Sequence, residues 1–481
     1  MPRPRSIALL LACLLLAACT GNNQRVTTSV GIPTPSPAAS SPRAGAPAIA
    51  TAAGFAAPAA PSATSVSVAS PQLAGEPTVR VRFAVRVLYE EYVTPLDPAQ
   101  LFTDAWQGAA NALRQAGAQN VPAPPSFPHD FDAAAALHTS AFPALERLAQ
   151  GRLSDRQLID AALKELAARR NDCHTQYLPP DLAPRAAANL RGEAKQLVGV
   201  QFSTQAPLRI VAVTPGSDAE RLGLRRGQIV IAVNGEKVGQ QLPAQALASV
   251  AQHNQDGQPS TFSVSEPGAA PFEVTLTPQP LPLVTAVREP DDLGLLRFDT
   301  FDLGNVQYEE LRHDLEQFDG EGVRGWILDL RFNGGGQPPD KIASLFVQSG
   351  LLWTVVPRDG APEAHTAGGN AFPVQRPLVV LTDRGSLSSA EILAAVLQAW
   401  GRAKIVGEQT TGCVGEAKVE GLLDGSSLEF SVARVLIGPK QRAISGSGVT
   451  PDVAVAPNDA ALNDPQLLAA IGLLQQQLAG P

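Results

Sequence analysis

The sequence has no excess of basic side chains. Its 37 lysines and arginines stand against 45 aspartates and glutamates, leaving a net charge of −8 over 481 residues. The polyanion attraction that drives nucleic-acid binding is therefore missing, and nucleic acid is not an expected partner. No apolar run approaches the roughly 20 residues a membrane-crossing helix needs. Cysteine occurs four times, and there is neither a cluster with metal-ligand spacing nor a phosphate-cradling glycine loop, so no metal or other cofactor is expected. What is present is an ordinary globular share of apolar residues, 44%, over a length that suits two or three domains.

The first 19 residues read as an export signal, because Arg3 and Arg5 precede a short apolar run from Ile7 to Leu16. Leu16-Ala17-Ala18-Cys19 closes that run and resembles the lipobox of bacterial lipoproteins. The resemblance implies lipidation at Cys19 and a lipid-anchored location at a bacterial membrane surface, periplasmic or extracellular. Residues 20–77 are rich in Ala, Pro, Ser and Thr with almost no large side chains; such a segment cannot bury enough surface to fold and reads as a disordered tether. Cys13 leaves with the signal, so Cys173 and Cys413 remain in the folded body, and an exported chain can pair them.

Residues 78–193 read as a helical subdomain, with apolar residues three and four apart in "VRVLYEEYV" and "LIDAALKELAARR". Residues 194–283 change to short β-like runs, "LVGVQF", "RIVAV" and "IVIAVNG". Within them Pro215-Gly216-Ser217-Asp218-Ala219-Glu220, followed by Gly223-Leu224-Arg225-Arg226-Gly227, resembles a PDZ domain. That likeness implies a groove accepting a peptide as an added strand, with its carboxylate loop at Leu197, Val198, Gly199 and Val200; a purely structural PDZ domain is the alternative. Residues 284–481 alternate strands and helices, as an α/β domain with crossover helices does. The expected fold is therefore multidomain α/β: helical subdomain, PDZ domain, α/β domain.

Two loops can carry chemistry. In "WILDLRFNGGGQ" the run Gly334 to Gly336 follows a strand and lets backbone N–H groups approach a substrate. In "LTDRGSLSSAEI" a strand is followed by serines at a helix start, where unpaired N–H donors and a positive partial charge gather. With "RRNDCHTQYLPP", "GLLRFDTF", "LDGSSLEFSVARV" and "GVTPDV", these phrases resemble the C-terminal-processing, or tail-specific, serine peptidases. The resemblance covers nearly all of the folded part and implies peptide-bond hydrolysis in proteins with unstructured tails, assisted by the PDZ domain. It places the nucleophile on Ser388, with Ser386 and Ser389 as neighbours to exclude. It places the oxyanion donors on the N–H of Ser389 and one from Gly335 or Gly336.

The family's lysine base and the glutamine four residues later fall here on Cys413 and Ala417. Lys418 faces the opposite side of a strand from position 413, Lys404 sits in a strand ahead of the site, and "GLLRFDTF" carries Arg297 and no histidine. His365 falls in a glycine-rich loop. A Cys413 thiolate is one alternative base or nucleophile; a Cys173–Cys413 disulfide stapling the helical part to the catalytic loop is the preferred use of that cysteine. His174 is read as structural, with a general-base role as the alternative. The expectation is an exported serine endopeptidase without an identified base, or else a catalytically degenerate relative that binds peptides. The oligomeric state is not legible.

Overall fold

The computed structural model describes residues 77–480 apart from 184–195, 204–205, 239–242, 267, 283, 302–303, 370 and 373–375. The signal segment with Cys19 and the tether up to residue 76 lie outside the described residues.

Five helices open the described chain: Pro77–Glu91, Pro98–Gln115, Phe131–Ala141, Pro143–Ala149 and Asp155–Ala168. Their starts follow from local chemistry. Asp97 and Asp130 accept the N–H of Ala99 and Ala133. Ser154 and Gln157 cap each other reciprocally, with Gln157 N–H donating to Ser154 Oγ and Ser154 N–H to Gln157 Oε1. Their apolar faces enclose Leu88, Leu101, Phe102, Trp106, Phe142 and Leu163 in one core. Within the segment expected to be helical, whose residues 184–193 lie outside the described residues, lies a strand, Gln176–Leu178, paired antiparallel with Ser427–Glu429. Tyr177 and Leu178 are buried there, where an extended backbone points them to opposite faces of the sheet.

The PDZ domain is built on the strand Ile229–Val233, which lies between Glu236–Lys237 and Ser260–Ser265; Phe272–Leu276 pairs outside the latter. Val198, Ile210, Phe262 and Val264 fill its core. The α/β domain has a six-stranded sheet ordered Val284–Glu289, Leu293–Phe298, Gly325–Asp329, Leu378–Thr382, Lys404–Gly407, Val453–Ala454. Only the first pair is antiparallel. Gly325–Asp329 and Leu378–Thr382 are buried at every residue, as a parallel sheet covered on both faces requires. Trp326, Leu328, Val380 and Ile405 face the core containing the helix Ser389–Ala399. Ile327, Val379, Leu381 and Val406 face the C-terminal helix Pro465–Ala479 through Ala470 and Leu474.

A second sheet is organised on the long strand Ser427–Ile437, against which Gln176–Leu178, Leu351–Pro357, Glu416–Gly421 and Arg442–Ala443 pair. Leu428 and Phe430 belong to the helical core, whereas Val435 and Ile437 belong to the α/β core. One strand thus ties both bodies together.

His138 is wholly buried among the rings of Phe102, Phe127 and Phe142, and among the described residues neither ring nitrogen has a hydrogen-bond partner. Burial pushes its pKa from 6.5 down to about 3. Below the ordinary histidine pKa the unfolded chain binds a proton that the folded chain refuses, so stability falls as pH falls from about 6.5 towards 3. At 1.36 kcal/mol per pH unit, roughly 2 kcal/mol is lost between pH 7 and pH 5. His138→Phe is expected to remove this loss and raise Tm at pH 5 more than at pH 7, as read by thermal melts at both pH values.

Candidate active site

Ser388 stands immediately before the helix Ser389–Ala399, with φ 51° and ψ −116°. That conformation costs an L-residue about 1–3 kcal/mol and persists only where the surroundings impose it. Here the imposition is visible. Ser388 N–H donates to the Cys413 carbonyl at 2.9 Å and to Glu391 Oε2 at 3.1 Å, while Leu387 N–H donates to the Asn333 carbonyl at 2.9 Å.

The three serines of this turn divide by what their hydroxyls do. Ser386 is fully buried and donates to the Leu330 carbonyl at 2.8 Å. Ser389 donates to the Gly336 carbonyl at 2.9 Å. Ser388 is half-buried, and no hydrogen bond uses its hydroxyl proton among the described residues.

The glycine loop lies directly against it. A Cβ on Gly335 would fall 2.6 Å from Ser388 Cβ and 3.0 Å from Ser389 N, and its φ is +91°. Gly335 N–H is already donated to Asn333 Oδ1 at 2.9 Å, and its carbonyl accepts Phe301 N–H at 2.9 Å. Gly336 N–H and Ser389 N–H have no such partner among the described residues. Asn333, wholly buried, also donates to the Phe298 carbonyl at 3.0 Å, so one side chain sets the loop that follows the strand Gly325–Asp329.

Glu391 is completely buried on a helix whose neighbours are apolar. Its Oε1 accepts Thr410 Oγ1–H at 2.5 Å and Gly412 N–H at 2.7 Å. Burial holds its pKa above the ordinary glutamate range, although Thr410, Gly412, Ser388 and Cys413 all donate to it. It is the link between the Ser388 turn and the loop Thr410–Cys413. Sequence inspection passed over this role, although an acid within "AEILAAVL" was a readable signal.

Cys173 and Cys413 Sγ lie 2.08 Å apart, with Cα atoms at 5.6 Å. Cys413 therefore has no thiol to act as base or nucleophile, which removes that alternative for the oxidised chain. His174 rests on the disulfide, its Nδ1 3.7 Å from Cys173 Sγ and its Nε2 3.7 Å from Cys413 Sγ. These three residues hold ligand-type atoms within 4.8 Å of one another, but sulfurs joined to each other leave a single imidazole, which does not make a metal site. Asp172 fixes the loop by accepting His174 N–H at 3.0 Å, Ser431 Oγ–H at 2.9 Å, Tyr92 O–H at 2.5 Å and Thr175 Oγ1–H at 2.7 Å. Burial raises the Asp172 pKa, but these donors outweigh it and bring it below the ordinary value. His174 itself is pushed down by burial, against the attraction of the Asp172 charge.

Other basic candidates are committed elsewhere. Lys418 bridges Glu91 at 2.7 Å and Glu420 at 2.9 Å, and Lys404 pairs with Asp452 at 2.9 Å. Arg297 contacts Asp299 and Gln201. His365 lies not in a loop but in the strand Glu363–Thr366, opposite Trp353, with ring centroids 4.6 Å apart.

At the PDZ domain, Val198 is buried, Gly199 has φ +76°, and its carbonyl accepts Thr214 N–H at 2.9 Å. A Cβ on Gly199 would lie 2.7 Å from Ser217 Cβ. Val200 pairs with Val213, while Leu197 pairs with Gln279. Gln201, next along, donates to Asp299 Oδ1 at 2.9 Å, so this edge of the PDZ domain is attached to the end of the strand Leu293–Phe298.

Comparison with known proteins follows the same geometry. The chain is 32% identical over 321 residues to the carboxyl-terminal-processing protease of Synechocystis sp., a match that spans 64% of this chain and 74% of the relative. The profile of peptidase family S41 matches residues 292–455. The chain belongs to that family.

As an S41 member it is a serine-type peptidase. It is also 31% identical over 321 residues to the chloroplastic C-terminal processing peptidase of Tetradesmus obliquus, covering 62% of this chain and 68% of that one. The PDZ profile matches residues 209–256. The S41 fold is seen again in a structure described as an S41 protease of Bacteroides fragilis, at TM-score 0.53 and 17% identity, covering 82% of this chain and 97% of the other.

In this S41 chain Gly335→Ala is expected to force the glycine loop away from Ser388, because the new methyl meets Ser388 Cβ at 2.6 Å and the residue must hold a φ of +91°. The expected outcome is a loss of kcat of roughly 100-fold or more, with Tm lowered by only a few degrees. Steady-state kinetics beside a thermal melt check it.

Proposed function

We propose that this peptidase is exported, anchored by lipid on Cys19, and cleaves proteins bearing unstructured C-terminal tails. Ser388 is the nucleophile. The observation that carries this reading is its strained backbone, which holds an uncommitted hydroxyl beside the glycine loop. Ser389 N–H and Gly336 N–H receive the oxyanion, and each such donor is worth about 3 kcal/mol in the transition state. Gly336 takes that role over Gly335 because Asn333 already occupies the Gly335 N–H. The tail binds the PDZ domain as an added strand, with its carboxylate at Leu197, Val198, Gly199 and Val200. The relatives' names, which specify processing of carboxyl termini, support this substrate class.

The absence of a lysine at position 413, where the resemblance places the base, favours a second reading in which the cleft binds peptides without cutting them. Incubation of the oxidised protein with casein separates the two. Cleavage that disappears in Ser388→Ala is the expected result; equal inertness of both proteins favours the binder. For the anchor, Cys19→Ser is expected to move the protein from the membrane to the soluble fraction of fractionated cells, and unchanged membrane recovery would sink the lipid assignment.

A further inference from the structure

A serine hydroxyl attacks only if something accepts its proton, and the acceptors around Ser388 can be sorted by what they already do. Glu391 is saturated by four donors, so protonating it would undo the contacts that set Ser388. Cys413 is bound to Cys173. Lys404 and Lys418, on the strands flanking the loop, are held in ion pairs. His174 differs from all of these. Among the described residues its ring nitrogens touch the two sulfurs, contacts too weak to use up its basicity. Both His174 and Ser388 contact Cys413: the imidazole meets its sulfur at 3.7 Å, and the serine N–H meets its carbonyl at 2.9 Å.

We infer that His174 is the general base of this peptidase, brought to Ser388 by the Cys173–Cys413 disulfide in place of a lysine at position 413. The inference rests on Ser388 being the nucleophile. As Ser388 Oγ bonds to the scissile carbonyl carbon, its proton passes to an imidazole nitrogen, directly or through one water. The imidazolium gives that proton to the leaving amine as the C–N bond breaks. Water then attacks the acyl ester, its proton passing to His174 and on to Ser388 Oγ as the ester bond breaks, and the enzyme is restored. The base must be neutral to begin, and the enclosure of the half-buried His174 lowers its pKa in that direction. The charged group that acts on it is Asp172 on its own loop, which also accepts the hydroxyl of Tyr92, just past the first helix; the two cysteines are joined and do not titrate.

The test uses the whole oxidised chain on casein and on a quenched fluorescent peptide. His174→Ala is expected to lower kcat by about 10²–10⁴-fold with little change in KM. Added imidazole should restore part of that rate in His174→Ala and none in Ser388→Ala. Wild-type kcat/KM should rise with pH along a limb centred below the ordinary histidine value of about 6.5. Lys418→Met and Lys404→Met should retain activity. A His174→Ala enzyme at full kcat, or one that imidazole does not rescue, overturns the inference while leaving Ser388 as nucleophile. If His174→Ala does not fold, a flat wild-type profile from pH 4 to pH 7 overturns it instead. Wild type and Ser388→Ala that are equally inert overturn the nucleophile reading itself, and this inference with it.

Discussion

The site depends on one buried carboxylate. Glu391 sits on the helix that begins at Ser389, where a charge without partners would cost several kcal/mol. It is tolerated because Ser388, Thr410, Gly412 and Cys413 turn donors towards it. Hydrogen bonds to a charged group are each worth about 1.5–3 kcal/mol, so the carboxylate draws two loops, 25 residues apart between Ser388 and Cys413 in sequence, into one rigid body. The positive φ of Ser388 is sustained by that body and by Asn333, whose carbonyl and amide fix the opposite loop. Strain at Ser388 is thus balanced by the contacts of its own N–H and of Leu387 N–H.

The second organising element is the strand Ser427–Ile437. Its first half is buried with the helices and its second half with the α/β core. Ser431, midway along it, donates to Asp172, the residue that fixes the loop carrying Cys173 and His174. Without that strand the disulfide would join two bodies free to move. With it, the disulfide closes an already positioned contact, and loop closure over a separation of 240 residues constrains the unfolded chain by about 5 kcal/mol in the entropy account.

Much of the fold was legible because it rests on patterns of short range. Apolar spacing marks the helices, the alternation of strands and helices marks the α/β domain, and glycine and serine turns mark the loops at strand ends. The division of labour within those turns was not legible. "GSLSS" contains three serines, and only three-dimensional partners distinguish Ser386, bound to Leu330, and Ser389, bound to Gly336, from Ser388. "NGGG" left Gly335 and Gly336 equivalent until Asn333 Oδ1 took one N–H. The glycines around His365 read as a loop, yet stacking on Trp353 across a strand pair places it in a sheet.

His174 shows why sequence adjacency and chemical adjacency part company. In the chain it follows Cys173 and belongs with the helical segment; in space it lies against Cys413, whose carbonyl accepts the Ser388 N–H. Its pair of sulfur contacts exists only because two segments 240 positions apart are joined. Sulfur is a weak hydrogen-bond partner, so these contacts orient the ring without consuming its basicity, whereas a carboxylate in the same place would raise its pKa and a backbone N–H would occupy its lone pair. A ring held by shape, shifted towards its neutral form by its surroundings and left without a strong partner among the described residues is in the state that a proton acceptor needs before substrate arrives.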